Sequence, residues 1–260
     1  MQPVARAAKQ MLGGVVASVS PQCRYRDCIF IIGHMRCGST ALSNVLCSRP
    51  EVSGYGEAHV AYGDRSALGI LALNQLRRGA WRAGASRLFD KILHSRYDAD
   101  ADPAFFDSRA IFVVRAPQPS ILSIRTMFAA IGSDEYPDDA VAAAYYRERM
   151  TTLMALWHRF PTDRRIGITH ERLTTNPDRE LARLSHFLGF APPLENRYSS
   201  KKASQRRGAG DPLVSHRLDS IVATTGSPPV EGSKRKLELS SAEMDGLQKL
   251  YDQFVYFTKA

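Results

Sequence analysis

The sequence predicts an α/β fold, a P-loop-like parallel sheet flanked by helices. Two observations lead there. Residues 28–32, 110–114 and 166–169 are apolar runs of strand length, separated by segments with helical character. Continuous apolar strands alternating with helices are the pattern of a parallel sheet covered on both faces. The first run also breaks at Gly33 into a glycine-containing loop, and a helix opens at once with Ser39 and Thr40. Strand, glycine loop and helix N-terminus in that order make an anion site, because backbone N–H groups converge there and the helix dipole adds partial positive charge.

The other elements follow in chain order. Residues 1–25 read as an N-terminal helix and extension; the apolar stretch 11–16 is too short to span a bilayer, and no clear cleavage site follows it. A short helix over 40–48 has Leu42, Val45 and Leu46 on one side and stops at Arg49-Pro50. Residues 52–55 read as a short strand leading to Gly56, Glu57, Ala58 and His59, and 64–87 as helical, with Leu68, Leu71, Leu76 and Trp81 among arginines. Residues 88–94 are apolar around the charged pair Asp90-Lys91 and precede an acidic loop. After 110–114 come Arg115, a proline-rich turn and a helix whose first turns carry Ser120 and Ser123. Leu153, Leu156, Trp157 and Phe160 form a core stripe at helical spacing. Asn176 caps the next helix, Pro177 takes its first position and Gly189 closes it. Residues 196–236 read as basic, flexible loops, and Ser240 with Glu243 forms a capping box for a last helix that turns Leu247, Leu250, Tyr251 and Phe254 inward. One domain over 1–260 is expected.

Two phosphate sites follow from these elements. The spacing Gly33 to Gly38-Ser39-Thr40 is that of a P-loop in which Ser39 replaces the lysine, and Arg36 supplies the cation from inside the loop. Such a loop is poorly equipped for a γ-phosphate with Mg²⁺ and well equipped for one phosphate and a group attached to it. Arg115 at a strand's C-terminal end, with Ser123 eight residues on, can clamp a second phosphate. The pair fits a nucleotide phosphorylated at both ends of its ribose.

On these residues the chain resembles the sulfotransferases that use 3′-phosphoadenosine 5′-phosphosulfate (PAPS). Their 5′-phosphosulfate loop is similar to His34, Met35, Arg36, Cys37, Gly38, Ser39 and Thr40, with arginine at position 36 as in many bacterial and Golgi members. Their 3′-phosphate motif resembles Arg115-x-Pro117 with Ser123, and a later block resembles 170–189, so the likeness runs from about residue 28 to 190. The resemblance implies the sulfotransferase fold, PAPS as sulfuryl donor without a metal, and a small-molecule or glycan hydroxyl as acceptor. It further implies Arg36 beside the bridging oxygen, Lys91 as a second catalytic cation, and either Glu57 or His94 as the base. Glu57 is favoured, because Arg36 and Asp90-Lys91 look like the glutamate-using branch. Arg206, Arg207 and Gly208 resemble a basic loop over the 3′-phosphate, one residue shorter than usual. His170 stands where many members have a tyrosine near the nucleotide, and that role is not carried over.

Composition sets the outer limits. With 35 Lys and Arg against 26 Asp and Glu, the net charge is +9, which suits an anionic donor or an acidic acceptor but is also met in basic surfaces without a partner. No zinc finger, RNA-recognition signature or basic zipper points to nucleic acid. Cys23, Cys28, Cys37 and Cys47 have neither disulfide-framework nor zinc spacing. Without a transmembrane segment, a cytoplasmic enzyme is expected. Two readings from other classes stay open: a nucleotide kinase or NTPase with a degenerate P-loop, and a non-enzymatic, basic nucleotide-binding module.

Overall fold

The computed structural model describes residues 3–199, 218–222 and 236–258. Five parallel strands form one sheet: β1 (Cys28–Gly33), β2 (Val52–Ser53), β3 (Arg87–Ile92), β4 (Arg109–Val114) and β5 (Arg165–Thr169), in the order β2-β3-β1-β4-β5. The helices are α1 (Pro3–Val19), α2 (Ser39–Ser48), α3 (Ala67–Arg77), α4 (Pro117–Ala130), α5 (Asp139–Arg159), α6 (His170–Thr175), α7 (Pro177–Leu188) and α8 (Ser241–Phe257). Alternation along β1 divides the core. Phe30 and Ile32 pack with residues of α3, α4, α5 and α8, whereas Ile29 and Ile31 pack with residues of α2 and α7. Each fully buried apolar side chain of this kind contributes roughly 1.5–3 kcal/mol.

The parallel α/β expectation holds, with one addition and one correction. β3 completes the sheet beside β1, although Asp90 and Lys91 interrupt its apolar run. Residues 64–87 are not one helix. α3 ends at Arg77, and Gly79, at φ 65, accepts the left-handed turn that closes it; the chain then turns back so that the N–H groups of Ala80 and Trp81 reach Gln75 O. The expected caps at Asn176 and Gly189 and the capping box at Ser240 are present.

β1 lies between β3 and β4, so connections leave it toward both sides of the sheet. In open α/β sheets this arrangement opens a crevice beyond the strands' carboxyl ends. Arg36, Lys91, Arg115 and His170 lie at or just beyond the ends of β1, β3, β4 and β5 respectively. Arg206, Arg207 and Gly208, and most of the stretch 196–236, lie outside the described residues.

Candidate active site

The phosphate loop follows β1 into α2. Gly38 is the N-cap of α2 at φ 88, and no side chain caps the helix start. An L side chain rarely adopts that backbone, so glycine is required to turn the first N–H groups of α2 into the crevice. Arg36 also holds a positive φ, 63.

Loop side chains divide by burial. His34 is fully buried. Its Nε2 accepts the Arg115 N–H at 3.0 Å, which places the ring proton on Nδ1, facing Met35 O at 2.8 Å. Burial, aided by the charge of Arg115, pushes its pKa down to about 4, so His34 is a neutral tie between the ends of β1 and β4. The Met35 N–H donates to Tyr145 Oη at 2.7 Å, and Tyr145 donates to Leu93 O at 2.7 Å. Cys37 is buried among Ile29, Ile31 and Leu42, and burial pushes its thiol pKa up. His34 and Cys37 therefore shape the loop from beneath.

Two clusters face the crevice. In one, Arg36 donates from Nε to Ser123 Oγ at 2.9 Å, and Arg115 donates to Arg36 O at 3.3 Å. Arg36, expected at the phosphosulfate end, thus reaches toward the residues expected to bind the second phosphate. In the other cluster the Lys91 ammonium donates to Thr40 Oγ1 at 3.0 Å and lies 3.3 Å from Glu57 Oε1. The lysine missing from the loop sequence is in effect supplied from β3, across from the start of α2.

Asp90 sets this second cluster. Its Oδ1 accepts from the N–H groups of Ala58 and Lys91, both at 2.8 Å, and its Oδ2 accepts from Tyr62 Oη at 2.7 Å. The carboxylate therefore fixes the segment carrying Glu57 against β3. Burial raises the Asp90 pKa to about 7 despite those hydrogen bonds.

His94 is not part of the Lys91–Thr40–Glu57 contact. Its ring packs 5.5 Å from that of Tyr145 and 6.3 Å from that of Tyr97, and burial pushes its pKa down to about 4. It lines a cavity of about 450 Å³ with Arg96, Glu135, Tyr136, Tyr145 and Glu148. Sequence reasoning missed Asp98, Tyr145 and Arg149, which brace the crevice from α5 and the loop after β3. An arginine on the apolar stripe of α5 was the available signal for Arg149. Among the described residues no group of His, Cys, Asp and Glu is gathered for a metal ion, and no helix is long and apolar enough to cross a membrane.

Comparisons with known proteins agree with this architecture. A family model described as "Sulfotransferase family" matches residues 73–193. The sulfotransferase domain of the Synechococcus PCC 7002 olefin synthase superposes with a TM-score of 0.57 at 19% identity, covering 90% of this chain and 97% of that one. The sulfotransferase domain from the curacin biosynthetic pathway gives 0.59 at 17% identity, covering 87% and 96%. Mouse sulfotransferase SULT7A1 complexed with PAP gives 0.51 at 14%, covering 93% and 87%. A comparison with curated proteins finds no match.

Proposed function

From a chain that carries a sulfotransferase-family segment on the sulfotransferase fold, we propose a PAPS-dependent sulfotransferase acting on a hydroxyl of a small molecule or glycan. The observation that carries this reading is the meeting of Lys91, Thr40 and Glu57 at the start of α2. A cation and a carboxylate beside the helix N-terminus support the reading, since an anion held there would turn its reactive group toward them. The fold neighbour complexed with PAP, the bisphosphate left after transfer, supports the choice of donor.

The chain's residues then divide the work. The uncapped start of α2 and the Ser39 and Thr40 hydroxyls hold the 5′-phosphosulfate. Arg36, Arg115 and Ser123 hold the 3′-phosphate end, with Arg206, Arg207 and Gly208 as further candidates for it. Arg36 can also turn back toward the bridging oxygen. Sulfuryl transfer, like phosphoryl transfer, moves charge onto the leaving phosphate, so catalysis is positioning and electrostatic stabilisation. Lys91 stabilises that charge. Glu57 takes the proton of the acceptor hydroxyl as its oxygen bonds to sulfur and the bond to the phosphate oxygen breaks. Glu57 is preferred to His94 because it touches Lys91, while His94 faces the cavity and serves the acceptor. No role is assigned to a metal, and the cytoplasm, where PAPS is made, suits the reaction.

Incubating the protein with PAPS and a panel of hydroxyl acceptors tests the proposal by mass spectrometry. A product heavier by one SO₃ group, with release of PAP, is the expected result. Failure to bind PAP would overturn it.

A further inference from the structure

His170 follows β5 directly, and its imidazole lies over the phosphate loop. A Cβ on Gly38 would sit 2.9 Å from His170 Cδ2 and 3.8 Å from its Nε2. Since Gly38 is the N-cap of α2, the ring stands at the mouth of the anion site. The charged groups acting on it are both cations, Arg115 beyond β4 and Arg36 in the loop. The other titratable groups here are already engaged. Glu171, next on α6, accepts from the Ala116 N–H at 3.1 Å and from Tyr251 Oη of α8 at 2.8 Å. Tyr146 of α5 donates to Arg115 O at 2.8 Å. His34 is tied to Met35 and Arg115, and the Cys37 thiol is buried. The proposed reaction leaves His170 without a task.

We infer that His170 is a proton-accepting ligand of the donor, neutral in the free protein and protonated from solvent when the two phosphates occupy the site. The inference rests on the donor reading above. In the free protein, burial first and then Arg115 and Arg36 push His170 down to about 3. A third permanent cation at this place would repel both arginines. A bound bisphosphate brings roughly −1.5 to −2 charge per phosphate into the same cluster. The local field then changes sign, and an imidazolium gains charge-assisted hydrogen bonding to phosphate. The third positive ligand thus exists only while the anion is present. By linkage, donor affinity rises as pH falls, by about tenfold per pH unit between the free and bound pKa values.

Calorimetric titration of the full chain with 3′-phosphoadenosine 5′-phosphate, across about pH 5.5–8 in buffers of different ionisation enthalpy, measures both affinity and proton uptake. The ligand's phosphates titrate near pH 6 themselves, so the wild type is compared with His170→Gln, which stays polar and does not titrate. The wild type should take up as much as one proton more than the variant, and its affinity should rise more steeply with falling pH, by up to about tenfold per unit. Equal proton uptake in two proteins that both bind would overturn the inference. Lack of binding by the wild type would overturn the donor reading instead. If His170→Gln does not fold, the imidazole carbon shifts of His170 in wild-type protein decide the matter: a pKa unmoved by the bisphosphate rejects the role.

Discussion

Arg149 and Asp98 form a doubly hydrogen-bonded ion pair, at 2.6 and 2.7 Å, with neither side chain reaching solvent. The same guanidinium donates from Nε to Gly33 O at 2.8 Å and from a terminal nitrogen to Ile92 O at 3.1 Å. One side chain of α5 therefore ties together the ends of β1 and β3. From the first the phosphate loop departs, and beside the second Lys91 reaches the site.

Removing the carboxylate strands the buried charge of Arg149. Asp98→Ala is expected to cost about 3–5 kcal/mol of stability, measured by denaturant unfolding. A loss below about 1 kcal/mol would mean that water or another group replaces the carboxylate.

Glu57→Gln keeps the side chain's shape but cannot accept a proton. Turnover should fall about 10²–10⁴-fold with affinity for the bisphosphate almost unchanged, and His94→Asn should lose less, chiefly through acceptor KM. Full activity of Glu57→Gln beside a dead His94→Asn would reverse the assignment of the base.

Arg36→Ala removes the guanidinium that meets Ser123. Binding of 3′-phosphoadenosine 5′-phosphate should weaken by about 1.5–3 kcal/mol, while AMP, which lacks the 3′-phosphate, should bind weakly to both proteins. Equal loss for both nucleotides would place Arg36 at the 5′ end instead.

His34 and Asp90 give stability opposite pH dependences. His34 is depressed from 6.5 to about 4, so its contribution is complete above pH 6.5 and lost as pH falls through 4. It amounts to at most about 3–4 kcal/mol. Asp90 is raised from 3.8 to about 7, so its contribution is complete below pH 3.8 and lost as pH rises through 7. Unfolding free energies of His34→Gln and Asp90→Asn, each subtracted from wild type across about pH 4–8, should slope in opposite senses. Two flat differences would show that neither group keeps its shifted pKa.

Elements whose determinants lie within a few residues are legible in the sequence itself. The apolar runs of β1, β4 and β5 announce buried strands, the glycine loop announces the anion site, and Asn176, Gly189 and Ser240 mark helix ends through local cap chemistry. β3 was hidden because Asp90 and Lys91 break its apolar run. Both are buried there because partners come from distant segments, Tyr62 and Ala58 for one, Thr40 and Glu57 for the other. The pairings that make the site, Lys91 with Thr40, Arg36 with Ser123 and Arg149 with Asp98, join segments far apart in the chain. They depend on the strand order that seats β3 and β4 on either side of β1. Periodicity and caps act within one element, whereas strand order emerges only when the helices pack on both faces. Tertiary packing alone therefore decided which cation meets which carboxylate.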